Sequence, residues 1–156
     1  MERLPNTRSC FCCGLENSAG LQLRLITDRR IVETRFSIRP EFTGFKNTVH
    51  GGITATVLDE MMAWACGVGA KSFAYCAELT VRFLKPAHPG EELVARGELT
   101  EDRRQLLFCK AELRNAQGDL LAEANGKYIP LRGPLHDLML SDFLEDPSNQ
   151  LGPWRT

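Results

Sequence analysis

His50, Gly51 and Gly52 lead into a mostly apolar stretch from Ile53 to Gly67, with Asp59 and Glu60 inside it. Two glycines at a helix start leave backbone N–H groups bare toward whatever docks there. Such a start favours negative charge, including the charge that develops on a carbonyl oxygen under attack. A carboxylate inside an apolar helix is costly unless it has a task or a partner. A polarising N–H and a base or nucleophile on one element point to acyl-transfer chemistry. His50 is either a general base or a residue that orients the helix start. A positive helix end disfavours imidazolium, so the neutral, positioning role fits better.

The elements that must carry these groups follow from periodicity. Leu21 to Leu25 alternates apolar and polar residues and reads as a strand. Val32, Thr34, Phe36 and Ile38 alternate in a second strand, closed by Pro40. The run from Ile53 to Ala65 is apolar around most of a helical circumference, which predicts a buried central helix ended by Gly67 and Gly69. Four strands follow: Tyr75 to Leu84, Glu92 to Leu99, Gln105 to Arg114 and Leu120 to Pro130. Turn signals at 86–90, 100–104 and 115–119 separate them. Leu135, Leu138, Met139 and Phe143 suggest a short helix over 134–146. The order β-β-α-β-β-β-β with short turns predicts an α+β domain, one antiparallel sheet wrapped around one long helix. Such a sheet leaves open edges, which pairing with another chain would cover.

With 156 residues, 43% hydrophobic and 25% charged, the chain suits a single domain over 1–156 with a real core. Residues 1–20 form a cysteine-containing amino-terminal segment and 134–156 a tail. The net charge of −1 gives no electrostatic case for nucleic acid or an anionic membrane. Residues 1–5 lack the apolar run of a signal peptide. The six cysteines, Cys10, Cys12, Cys13, Cys66, Cys76 and Cys109, read as small core residues rather than a disulfide framework, so a reduced, cytoplasmic protein is expected.

Three segments resemble the hotdog-fold thioesterases, in particular the phenylacetate-pathway-like acyl-CoA thioesterases. Val49 to Glu60 is similar to the family's helix signature, Ala77 to Pro86 to the strand after it, and Cys10 to Leu21 to an amino-terminal Cys-Phe-x-Cys-Gly segment. The resemblance implies hydrolysis of an acyl-CoA thioester at a dimer interface, with no cofactor beyond the substrate's own CoA. It implies a glycine oxyanion donor, Gly51 or Gly52, and a catalytic carboxylate nine residues after the histidine, Asp59. The carboxylate would act as general base or as nucleophile through an anhydride. On the substrate side, Asn47 stands offset from the Asn or Gln of many relatives. Cys76 replaces their Thr or Ser, and a thiol is a weaker donor.

Gly51 and Asp59 lie eight positions apart, about 12 Å along a helix. They cannot flank one carbonyl within one chain, which implies a homodimer or tetramer if both act. Glu60 points about 100° away from Asp59 and is its rival. Arg82 and Lys85, with Arg103 and Arg104, could meet the phosphates of CoA, although solvated surface charge is their default. Cys10 and Cys13 form one Cys-x-x-Cys pair with no second pair, so no metal is expected. His88 and His136 read as surface residues. A hotdog enoyl-CoA hydratase or dehydratase and a non-catalytic acyl-CoA-binding module remain as alternatives.

Overall fold

The computed structural model describes residues 1–155. Seven strands form one antiparallel sheet: β1 (Glu2–Arg3), β2 (Leu25–Thr27), β3 (Ile31–Phe36), β4 (Ala74–Phe83), β5 (Leu93–Asp102), β6 (Leu107–Asn115) and β7 (Leu120–Pro130). Their order across the sheet is β1-β2-β3-β5-β6-β7-β4. The 20-residue helix α1 (Gly51–Ala70) lies in the concave face, as the hotdog resemblance implies. Val57, Leu58, Met61 and Met62 are all at most 1% exposed, and each such side chain contributes roughly 1.5–3 kcal/mol by leaving water. β4 pairs only with β7, so its other edge is open along 10 residues. Tyr75 and Phe83 are exposed on it.

Three expectations need correction. Leu21 to Arg24 is not strand: Leu21 and Leu23 donate their N–H groups to the carbonyls of Phe11 and Cys12, so they bond the amino-terminal turn instead of the sheet. The strand β2 starts only at Leu25, and the short β1 beside it had no sequence signal. Helix α1 runs straight through Gly67 and Gly69 to a left-handed cap at Lys71. Those glycines mark close packing, not an end. A Cβ on Gly67 would sit 2.8 Å from the Phe73 ring, and one on Gly69 2.9 Å from Leu99. The tail helix stops early, as α2 (Pro134–Ser141), and a separate turn, α3 (Ser148–Leu151), follows.

The two ends of the chain are stitched together. Arg8 donates its N–H to the Asp142 carbonyl and Leu144 donates to Asn6. The Ser9 hydroxyl donates to the Asp142 carboxylate at 2.8 Å, and Thr7 bridges Phe143. The buried Asn6 side chain donates to the carbonyls of Cys13 and Leu23 and anchors the amino-terminal segment.

Candidate active site

The first turn of α1 has four N–H groups to account for. Ile53 and Thr54 donate to the His50 carbonyl. Gly52 donates to His50 Nδ1 at 2.9 Å, so histidine fills the capping role that Ser or Asp usually takes. The Gly51 N–H alone has no acceptor among the described residues. An Nδ1 that accepts leaves the proton of the neutral ring on Nε2. His50 is thus a cap, as its place before the helix suggested.

Gly51 borders a cavity of about 750 Å³. Residues 43–45 and 48–50 form one wall and the end of β4 with residues 84–87 the other. Phe45 (85% exposed) and Phe83 stand at this cavity, with Thr54 on the helix side. Lys85 lines it too, and its ammonium pairs with Asp119 at 3.1 Å. The cavity brings together His50, Gly51 and Lys85 of the expected residues. It does not include Gly52, Asn47, Asp59, Cys76 or Arg82.

Asp59 belongs to a second cluster, two turns along the helix. The Tyr128 hydroxyl donates to Asp59 Oδ1 at 2.6 Å. Tyr128 is fully buried on β7, and its register partner on β4 is Cys76. Burial and the Asp59 carboxylate push the Tyr128 phenol far above its ordinary range, so it stays a donor. Burial first, then the Asp59 charge, also raises the Cys76 thiol, which works against its ionisation. Tyr128 had not been singled out from the sequence. Its signal was the inward alternation of β7, with Gly126 two residues earlier: a Cβ there would lie 2.5 Å from the tyrosine ring.

Glu60 faces away from that cluster, toward the amino-terminal segment. Its carboxylate accepts from Trp64 Nε1 at 3.1 Å and lies 3.7 Å from Cys10 Sγ. Burial and the Cys10 sulfur push its carboxyl up to about 8. The two acids of α1 therefore sit in unrelated surroundings, as the helical rotation between them requires.

The remaining expected residues engage other groups of the chain. Asn47 sits in a left-handed turn (φ 58°), where its carbonyl contacts His88 Nδ1 at 2.6 Å. Arg82 pairs with Glu123 on the exposed side of the sheet and Arg103 with Glu101. His88 is exposed as expected. His136 is not a surface residue: its side chain is 14% exposed, its ring lies beside Trp154, and its Nε2 has no partner among the described residues. The tail folds back over it, which no local pattern announces. No described helix is long and apolar enough to cross a membrane.

The model of the thioesterase superfamily matches residues 46–122, which span the loop before α1, the helix, and the strands through the start of β7. Acyl-coenzyme A thioesterase 13 of Homo sapiens is 31% identical over 90 residues, 55% of this chain and 63% of that protein. The chain thus matches less than two thirds of that relative's length. Among solved structures, a thioesterase superfamily protein superposes with a TM-score of 0.73 at 25% identity, over 82% of this chain and 70% of that one. The PaaI protein from the phenylacetic acid degradation operon of E. coli superposes with a TM-score of 0.68 at 24% identity, over 76% of this chain and 88% of that one, a likeness of fold.

Proposed function

We propose, from the match of residues 46–122 to the thioesterase superfamily and the likeness of fold to its solved members, that the chain hydrolyses an acyl-CoA thioester to a free acid and CoA. The observation that carries this reading is the bare N–H of Gly51, a residue at the start of α1 that lines a cavity large enough for an acyl chain. The thioester carbonyl places its oxygen at this N–H. Asp59, held by Tyr128, takes the proton of the attacking water. The tetrahedral intermediate then collapses, the C–S bond breaks, and CoA leaves as its thiol. In the second route Asp59 attacks the carbonyl itself and water cleaves the resulting anhydride; a pre-steady-state burst of CoA marks that route.

The acting Asp59 comes from a second copy of the chain. Two features support this: the separation of about 12 Å between Gly51 and Asp59 along one helix, and the open, partly aromatic edge of β4. An antiparallel partner helix would set the partner's carboxylate opposite the glycine. The hydratase alternative wants a histidine free to move a proton, whereas His50 Nδ1 is engaged by Gly52. Incubation with a panel of short, long and aromatic acyl-CoA esters, with a thiol reagent present, tests the reading. CoA release supports it. A change in enoyl absorbance without thiol, or binding without either, overturns it.

A further inference from the structure

One cluster of reactive side chains lies outside this site and has no part in the proposed hydrolysis. Cys10 and Cys13 come from the amino-terminal turn and Glu60 from α1. One ligand atom of each lies within 4.8 Å of the other two. We propose that Cys10, Cys13 and Glu60 bind a zinc-class divalent ion that fastens the amino-terminal turn to the central helix.

Three features of the geometry support a metal over three chance neighbours. The first is spacing. With Zn–S near 2.3 Å and Zn–O near 2.1 Å, a tetrahedral ion separates its sulfur and oxygen ligands by about 3.6 Å. Cys10 Sγ lies 3.8 and 3.7 Å from the two Glu60 oxygens. The second is support for the ligands from behind. The Cys12 N–H donates to Cys10 Sγ at 3.3 Å, the Trp64 indole N–H donates to Glu60 Oε1 at 3.1 Å, and the Thr7 hydroxyl lies 3.4 Å from Cys13 Sγ. Outer-shell donors of this kind orient metal ligands and stabilise thiolates. The third is access. Cys10, Cys13 and Glu60 line one side of a cavity of about 440 Å³, with Thr7, Ser9 and Asp142 also on its wall. It provides an entry path and room for a water as fourth ligand. Two thiolates and one carboxylate suit a borderline ion such as Zn²⁺ better than Mg²⁺ or Ca²⁺, which prefer all-oxygen shells. On binding, each cysteine releases its proton to solvent.

A single Cys-x-x-Cys pair is too few ligands for zinc by sequence count. The third ligand stands fifty positions away, on a helix whose acids look like rivals for catalysis. The experiment uses the full chain, purified reduced and stripped with a chelator. It is titrated with Zn²⁺ against a chromophoric competitor and, separately, with Co²⁺. One ion per chain is expected, and the Co²⁺ complex should show near-ultraviolet thiolate-to-cobalt charge transfer. Cys10→Ser and Cys13→Ser should each remove most of that band. Glu60→Gln should weaken uptake by tenfold or more, on the scale of losing a metal-site contact. Cys109→Ala, which removes a buried thiol on β6, should change nothing. The cobalt spectrum of the wild type needs no variant to fold. Absence of stoichiometric uptake of both ions by the wild type overturns the proposal. So does uptake that survives in the Cys10→Ser, Cys13→Ser double variant.

Discussion

Replacing Gly51 by proline deletes one hydrogen, the one proposed to bind the oxyanion, and does little else. Proline is well tolerated at the first position of a helix, where its missing N–H would have no helical partner. Gly51 is that position. The residue before a proline must be extended, and His50 already is, at φ −59° and ψ 132°. A Cβ at Gly51 would meet the Phe83 ring at 3.4 Å, an ordinary contact. The fold and the His50 cap on Gly52 should therefore persist. Loss of one oxyanion donor typically lowers kcat about 10²- to 10³-fold, or roughly 2.7–4 kcal/mol of transition-state stabilisation. The control is Gly51→Ala, which keeps the N–H and adds the same Cβ. It should stay within about threefold of wild type, which is under about 0.7 kcal/mol. Thiol release from the best acyl-CoA substrate gives kcat and KM, and circular dichroism with thermal melting checks the fold. A folded Gly51→Pro with near-wild-type kcat would refute Gly51 as the donor. An equal loss in Gly51→Ala would show that the Cβ, not the missing hydrogen, is responsible.

Three further outcomes are expected. Asp59→Asn keeps an oxygen for Tyr128 but removes the charge; kcat should fall about 10²-fold or more with little change in KM, and normal turnover would remove the carboxylate from the mechanism. Tyr128→Phe deletes a hydrogen bond to a carboxylate, a contact of about 1.5–3 kcal/mol, so kcat should fall roughly 10- to 150-fold if the bond holds Asp59 in place during reaction; a folded variant with unchanged kcat would show that the bond serves packing only. Sedimentation equilibrium at micromolar concentration should give at least twice 17.5 kDa, and a fully active monomer would rule out a site shared between copies.

The parts legible in the sequence were those set by local chemistry. His-Gly-Gly before an apolar run marks a helix start, and the described α1 begins at Gly51. The alternation and flanking turns of Leu120 to Pro130 fixed that strand to the residue. Asp59 and Glu60 had to face different ways, because adjacent helical positions do. Contacts made across the fold left no local trace. Tyr128 reaches Asp59 over 69 positions, and Glu60 meets Cys10 over 50. Leu21 to Leu23 alternated like a strand, but their N–H groups found the cysteine turn first. Gly67 and Gly69 looked like helix breakers because a sequence does not reveal that Phe73 and Leu99 press against them. Which of the two helix-start glycines is bare depended on the His50 rotamer, which only the structure supplies.

The clamp between the chain's two ends has a consequence for how the protein is made. Arg8 and Ser9 are held by Asp142, 133 positions or more away. At ribosomal rates of about 5–20 residues per second, residues 6–9 wait on the order of ten seconds for their partners to be synthesised. During that interval α1 and most of the sheet can assemble, while the cysteine turn is held by nearer contacts, among them Asn6, Leu21, Leu23 and α1. The seam between the two ends is therefore among the last parts of the nascent chain to close. Truncation after Ser141 would leave it open, loosening the first ten residues from the far end of the polypeptide.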